Sequence, residues 1–275
     1  MHGKFKKEKL AMKQSMQSRP KKWLGQHFLV DQNIQKKIIK ACAIIPQDTV
    51  LEIGSGRGEL TRLIAEKTER LVALEVDPRM CAILKNKMTD FPRTKILNQN
   101  ILRFNLAGFF KGINNLKIIG NLPYNITTPI IAHLFKFRDK IANEFITVQK
   151  EFAQRMVATP GTAQWGALSC FVQYYTQPRI LFLIKRTCFW PQPKVDSALI
   201  NLRIKDNLPL TARKQSRLFK VIRKSFQQRR KTLRNSLSGV VSPKRLDRYF
   251  DRYNVNKNIR GECLSIGDFI NLINS

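Results

Sequence analysis

Residues 121–124 read Asn-Leu-Pro-Tyr and follow an apolar, β-prone run at 116–120. At the carboxyl end of a strand, the Asn121 side-chain carbonyl is placed to accept from an amine. Pro123 has no N–H and fixes the turn, which aims the Leu122 carbonyl at the same amine. Tyr124 offers a flat face on which a base stacks. Two acceptors gripping the hydrogens of an aromatic amine favour a pyramidal nitrogen with a directed lone pair. In-line displacement by such a nitrogen on an electrophilic carbon runs on positioning and electrostatics. It needs no strong general base, because the proton becomes acidic once the nitrogen is substituted. A second aromatic is needed to sandwich the base. Phe189 is the candidate, in FWPQPKVDSALI at 189–200, where Pro191 and Pro193 stiffen the approach to a strand. A plain turn also uses Asn and Pro, so the rest of the chain decides.

The segment LEIGSGRGEL at 51–60 is strand, glycine turn, helix. Gly54, Gly56 and Gly58 let backbone approach a ligand, and a helix start supplies free N–H groups. The dinucleotide spacing G-x-G-x-x-G fails, because Glu59 stands at its last position. The pattern present, E-x-G-x-G-x-G, resembles the first motif of S-adenosylmethionine-dependent methyltransferases, where Gly54 and Gly56 cradle the amino-acid part of the cofactor. Glu75 ends the next strand, a position that suits a carboxylate accepting both ribose hydroxyls. Asn100 ends the third strand, where its amide meets the adenine edge. Methyltransferases of this type usually carry Asp there, so the hydrogen bond loses its charge assistance. The 121–124 segment in turn resembles the N-P-P-Y type signature of enzymes that methylate the exocyclic nitrogen of adenine. Such a base must be flipped out or already single-stranded.

The elements that must hold these residues are legible as alternating runs. Strands are expected at 49–54, 71–77, 94–100, 116–121, 144–149, 179–184 and 197–204. Helices are expected at 33–45, 59–67, 78–88, 128–137, 150–158 and 165–175. This alternation implies an α/β fold with a largely parallel sheet covered on both faces, its last two strands close enough in sequence to pair antiparallel. After residue 206 the strand signals stop and the chain reads as short helices. The expected division is a basic arm at 1–22, a Rossmann-like seven-stranded methyltransferase sheet at 23–205 and a small all-helical carboxyl-terminal domain at 206–275.

Fifty Lys and Arg against 19 Asp and Glu give a formal charge of +31, which attracts polyanions. Residues 213–234 hold ten Lys or Arg and no carboxylate, with Leu218, Ile222 and Phe226 forming one apolar stripe. A one-sign helix face of this kind favours phosphate contact, and it lacks the Trp and Leu bulk of a membrane-surface helix. No run approaches the roughly 18–20 apolar residues of a membrane span. The amino terminus has no apolar core, so it is not read as a secretory signal. Five scattered cysteines without a C-x-x-C fit a reducing cytoplasm, and no His-Cys or His-carboxylate cluster points to a metal.

Taken together, KKWLGQHFLVDQNI (21–34), LEIGSGRGELT, GNLPYNITTPI, VQKEFAQRMVATPGT, FWPQPKVDSALI, SFQQRRKTLRNSL (225–237) and GECLSIGDFINL occur in an order that resembles the small-subunit ribosomal RNA adenine dimethyltransferases of the methyltransferase A type. The resemblance implies transfer of methyl groups to N6 of two adjacent adenosines in a hairpin loop near the 3′ end of small-subunit RNA. The implied partner is an assembling 30S subunit; a monomer is the default expectation for the chain, independent of the resemblance. It implies that residues 26–29 cross the methionine part of the cofactor, with His27 and Leu29 among its contacts. His27 stands where the family often has Asn. Asn121 would touch both cofactor and base. Arg223, Lys224, Arg229, Arg230, Lys231 and Arg234 are the implied RNA contacts. Enzymes acting on large-subunit RNA share NLPY and the PKVDS segment but do not typically carry the QRRKTLRNSL stretch. An assembly or nucleic-acid-binding factor on the same fold is the other alternative, and it has no need of the intact Gly54, Glu75, Asn121 and Tyr124 set.

Overall fold

The computed structural model describes residues 25–228 and 230–275. The basic arm at 1–22 and Arg229 lie outside the described residues. Two compact units are formed, one from the chain up to Lys150 together with Ile180–Leu202, the other from Glu151–Arg179 and Arg203–Ser275.

The strands, in chain order, are β1 (Phe28–Leu29), β2 (Thr49–Ile53), β3 (Arg70–Glu75), β4 (Lys95–Asn98), β5 (Leu116–Asn121), β6 (Ile141–Gln149), β7 (Thr176–Ile184), β8 (Phe189–Trp190) and β9 (Ser197–Ile204). Seven of them form one sheet in the order β4-β3-β2-β5-β6-β9-β7, while β1 and β8 pair as a separate antiparallel ribbon. All seven sheet strands match runs expected from the sequence, with ends shifted by up to three residues. The ribbon was not expected.

All five residues of β2 are buried, as a central parallel strand covered on both faces requires. In register, Ile53 of β2 stands beside Leu74 of β3 on one side and Gly120 of β5 on the other. The chain thus leaves β2 in opposite lateral directions, and the crevice at such a switch point is where open α/β sheets bind ligands.

Helix α1 (Gln32–Cys42) starts at Asp31, whose carboxylate accepts from the Asn33 and Ile34 N–H groups. It ends at Ala43 in the left-handed region (φ 44°), so it stops before Pro46 is reached. Next come α2 (Thr61–Ala65), α3 (Pro78–Lys87), α4 (Leu106–Phe109) and α5 (Thr127–Leu134). In α3, Asp77 caps the Arg79 N–H, and Pro78 occupies the first turn, where its missing N–H costs nothing.

The second unit is helical, with α6 (Lys150–Val157, whose first residue belongs to the first unit), α7 (Ala167–Tyr175), α8 (Ala212–Gln227), α9 (Leu233–Ser236), α10 (Pro243–Arg252) and α11 (Ile266–Asn274). One core joins Trp165 and Tyr174 to Leu218, Val221, Ile222, Tyr249, Phe250 and Phe269. The Trp165 indole N–H donates to the Leu264 carbonyl at 3.0 Å. The unit therefore takes in residues 151–179 as well as the chain after 202, because the burial partners of Trp165 and Tyr174 lie beyond residue 210. Gly261 lies against α8 so closely that an added Cβ would meet the Ser225 Cβ at 2.7 Å. No described helix is long and apolar enough to cross a membrane.

Candidate active site

The glycine loop leaves β2 and turns through three left-handed glycines, Gly54 (φ 73°), Gly56 (φ 55°) and Gly58 (φ 87°), a conformation that side chains with a Cβ rarely adopt. The Gly54 and Ser55 N–H groups donate to the Leu74 carbonyl at 2.9 and 3.2 Å. A Cβ on Gly54 would lie 3.5 Å from the Asn121 carbonyl, so the loop and the Asn-Leu-Pro-Tyr turn are immediate neighbours. Gly120 has its own reason to be glycine: a Cβ there would meet the Ile53 carbonyl at 2.9 Å.

Glu75 is 4% exposed. One carboxylate oxygen accepts from the Gly56 N–H and the other from the Asp77 N–H, each at 2.8 Å. Burial pushes this carboxyl above its usual range, and these two N–H groups pull in the opposite direction. The carboxylate is thereby oriented, and each oxygen keeps lone-pair capacity for a hydroxyl.

Asn121 is oriented by its neighbour. Its Nδ2 lies 2.7 Å from the His27 carbonyl, which only accepts, so the amide oxygen is the group left to present to a ligand. The Leu122 N–H donates to the Thr147 carbonyl at 3.1 Å, tying the turn to β6. The Pro123 carbonyl accepts from the Ile126 N–H and the Thr127 hydroxyl, which closes a short 3-10 turn over Tyr124–Ile126. The Tyr124 hydroxyl is 2.6 Å from that of Ser197, and burial raises the phenol's pKa. The His27 ring stacks on Tyr124 at 5.6 Å between centroids. Its Nδ1 lies 2.6 Å from the Pro191 carbonyl, so Nδ1 carries a proton.

One cleft collects His27, Gly54, Gly56, Glu75, Asn100, Asn121 and Pro123. Of the other expected residues, Leu122 (1% exposed) and Tyr124 adjoin the cleft without lining it, and Leu29 and Phe189 are placed elsewhere. Leu29 is 3% exposed and packs in the core of the first unit. Its neighbour Phe28 faces the cleft instead, because successive strand residues point to opposite sides. Phe189 is likewise buried, at 3%, opposite Leu29 in the ribbon. It shares the core with Ile38 and Leu199, so it does not present its ring to the cleft. Asn100 is exposed, and its side-chain carbonyl accepts from the Leu102 N–H at 2.9 Å, which turns its NH₂ into the group most available to a ligand. Sequence reasoning missed Val76 and Ile101. Val76 follows Glu75 directly and is 45% exposed, although apolar and at a strand end. Both line the cleft as an apolar pair suited to a flat ring.

In the helical unit, α8 buries Leu218, Val221 and Ile222 while Arg213, Lys214, Arg217, Lys220 and Arg223 are exposed. Lys224 and Arg234 are half-buried, and Arg230 and Lys231 are exposed. Arg234 is held by an ion pair to Asp247 and lies over the Phe250 ring, so its guanidinium is engaged within the unit although still partly open to solvent. Among the described residues, no group of three His, Cys, Asp or Glu is placed to hold a metal ion.

The family model for ribosomal RNA adenine dimethylase matches residues 17–275. The chain belongs to the ribosomal RNA adenine dimethylase family. Relatives described as ribosomal RNA small subunit methyltransferase A include one from Alkaliphilus metalliredigens, 39% identical over 258 residues that cover 91% of this chain and 90% of the relative. Another, from Geobacillus thermodenitrificans, is 38% identical over 264 residues, covering 93% and 90%. Among solved structures, a dimethyladenosine transferase from Plasmodium falciparum superposes with a TM-score of 0.79 at 25% identity, covering 90% of this chain and 96% of that one. A 23S rRNA methyltransferase, ErmE, has a TM-score of 0.72 at 23% identity, with 90% and 98% covered, and shares the fold. This dimethylase is an S-adenosylmethionine-dependent enzyme. The cleft fits that cofactor: a left-handed glycine turn, a buried carboxylate with free lone pairs and an apolar pair lie along one strand edge.

Proposed function

We propose that the chain dimethylates N6 of two adjacent adenosines in the 3′-terminal hairpin loop of small-subunit ribosomal RNA. It acts in the cytoplasm as a monomer on the assembling small subunit. The observation that carries this reading is the Asn121 amide, fixed by the His27 carbonyl so that its oxygen is presented beside the glycine loop.

Gly54 and Gly56 hold the amino-acid end of S-adenosylmethionine. Glu75 accepts from its ribose hydroxyls. Val76 and Ile101 enclose its adenine, with the Asn100 NH₂ at the ring edge. Bound there, the cofactor supplies an electrophilic methyl on a sulfonium. Asn121 Oδ1 and the Leu122 carbonyl grip the two hydrogens of the target amine and turn its lone pair toward that methyl. Tyr124 supports the base, and its raised pKa keeps the phenol neutral. The two carbonyls favour a developing positive charge on the nitrogen, which is preorganised electrostatic stabilisation. The proton then leaves to water. Phe189 is buried and offers no second face, and the His27 ring, stacked on Tyr124 at 5.6 Å between centroids, leaves no room for a base between the two. Exposed cations of α8, with Arg230 and Lys231, contact RNA phosphates; Arg229, outside the described residues, stays an expectation from the basic stretch of sequence alone.

Asn121→Ala tests the grip. It is expected to lower single-turnover methyl transfer by roughly 100-fold or more, while RNA and cofactor affinities stay within a few-fold. Undiminished transfer would remove the role.

A further inference from the structure

The β1–β8 ribbon sets Phe28 directly opposite Trp190, and side chains of such a pair lie on the same face. The Arg57 guanidinium, from the glycine loop, sits between the two rings, 4.5 Å from the Phe28 centroid and 4.9 Å from that of Trp190. Phe28 lines the cofactor cleft, whereas Trp190 does not. Trp190 is 45% exposed, so Arg57 backs one face of the indole and the remainder is open. An exposed tryptophan whose position is fixed by a guanidinium is what single-stranded nucleic acid uses as a stacking step.

The location narrows the ligand. The carbonyl of Pro191, the residue after Trp190, lies 2.6 Å from His27 Nδ1, and the His27 ring is stacked on Tyr124. Trp190 is therefore at the lip of the slot that takes the target adenosine. The loop around it exposes Lys185, Arg186 and Lys194. Its one carboxylate, Asp196, is half-buried and accepts from the Arg186 backbone N–H. An unstacked base with its phosphates suits this aromatic and cationic surface.

We propose that Trp190, braced by Arg57, is a subsite for the base of the nucleotide next to the target adenosine. This rests on the placement of the target against Tyr124. The indole stacks the neighbouring base and holds the loop RNA open while the target enters. Any base presents a π-face, so the subsite is tolerant of sequence and acts on RNA affinity, not on cofactor affinity.

The test is steady-state transfer to undermethylated small-subunit particles by the full chain carrying Trp190→Ala or Trp190→Phe, alongside cofactor affinity and melting temperature. Trp190→Ala is expected to raise KM for the particle by roughly ten-fold, within the range for losing one base–aromatic stack. Cofactor affinity should be unchanged, and Trp190→Phe should restore most of the loss. In parallel, a single-stranded adenosine-containing oligonucleotide should quench tryptophan fluorescence in the native chain and not in Trp190→Phe. An unchanged particle KM in Trp190→Ala, or a loss confined to cofactor affinity, would overturn the proposal and leave Trp190 a brace for the glycine loop. Full turnover by Tyr124→Ala would instead remove the target placement, and the neighbouring subsite with it.

Discussion

Glu75 combines burial with a defined orientation, since each carboxylate oxygen already holds one backbone N–H of the cleft wall. Glu75→Gln turns an NH₂ toward one of those donors and removes the charge that strengthens bonds to ribose. Hydrogen bonds to charged groups contribute about 1.5–3 kcal/mol. Calorimetric titration with S-adenosylmethionine is therefore expected to show affinity roughly 10- to 100-fold weaker. Gly54, Gly56, Glu75, Asn100 and Asn121 were legible because each occupies a strand end or the turn after it, and parallel strands bring such ends together. Leu29 and Phe189 were not. Their direction is set by the two-residue β1–β8 pairing across 160 residues, and a shift of one residue exchanges cleft for core. Val76 escaped because nothing local marks an apolar strand-end residue as exposed.

At the scale of elements, β6 and β2 each carry a carboxyl that the methyl-transfer chemistry does not use. Glu144 is fully buried in β6, and neither of its oxygens has a hydrogen-bond partner. Burial pushes it up to about 8. Glu52 in β2 accepts from the Thr61 hydroxyl at 2.6 Å, and burial raises it to about 7. Both are neutral in the folded protein at acidic pH, while unfolded chains lose these protons near 4.5. The stability each contributes is full below that value and is lost as pH rises through 7 and 8. Thermal melts should show the melting temperature falling from pH 5 to pH 9, with a shallower fall in Glu144→Gln. A slope unaffected by that substitution would place the titration elsewhere. The seven strands were readable from their β-branched runs, yet the start of β6 at Ile141, ahead of the expected residue 144, was not. The helical partners of Trp165 were equally hidden, since its bond to Leu264 spans 99 residues.

At the scale of the molecule, a formal charge of +31 and the exposed cations of α8 make binding to RNA depend on salt. The logarithm of the affinity should fall against that of salt with a slope of roughly −0.7 to −0.9 per phosphate contacted. Arg217→Glu with Arg223→Glu is expected to flatten that slope by about one to two units, without altering cofactor affinity. The charge was visible in composition. That Arg234 pairs with Asp247 was not, because that ion pair forms only when α9 and α10 pack. The central claim is that one cleft at the sheet edge brings an activated methyl against the amino group of an unstacked adenine in small-subunit RNA. Its most direct test is labelled-methyl transfer offered in parallel to undermethylated small-subunit particles, large-subunit RNA and duplex DNA, with the modified nucleosides identified by mass. The account predicts label on the particles as N6,N6-dimethyladenosine at two adjacent positions. Preferred labelling of large-subunit RNA or DNA, or a methyl on any atom other than adenine N6, would contradict it.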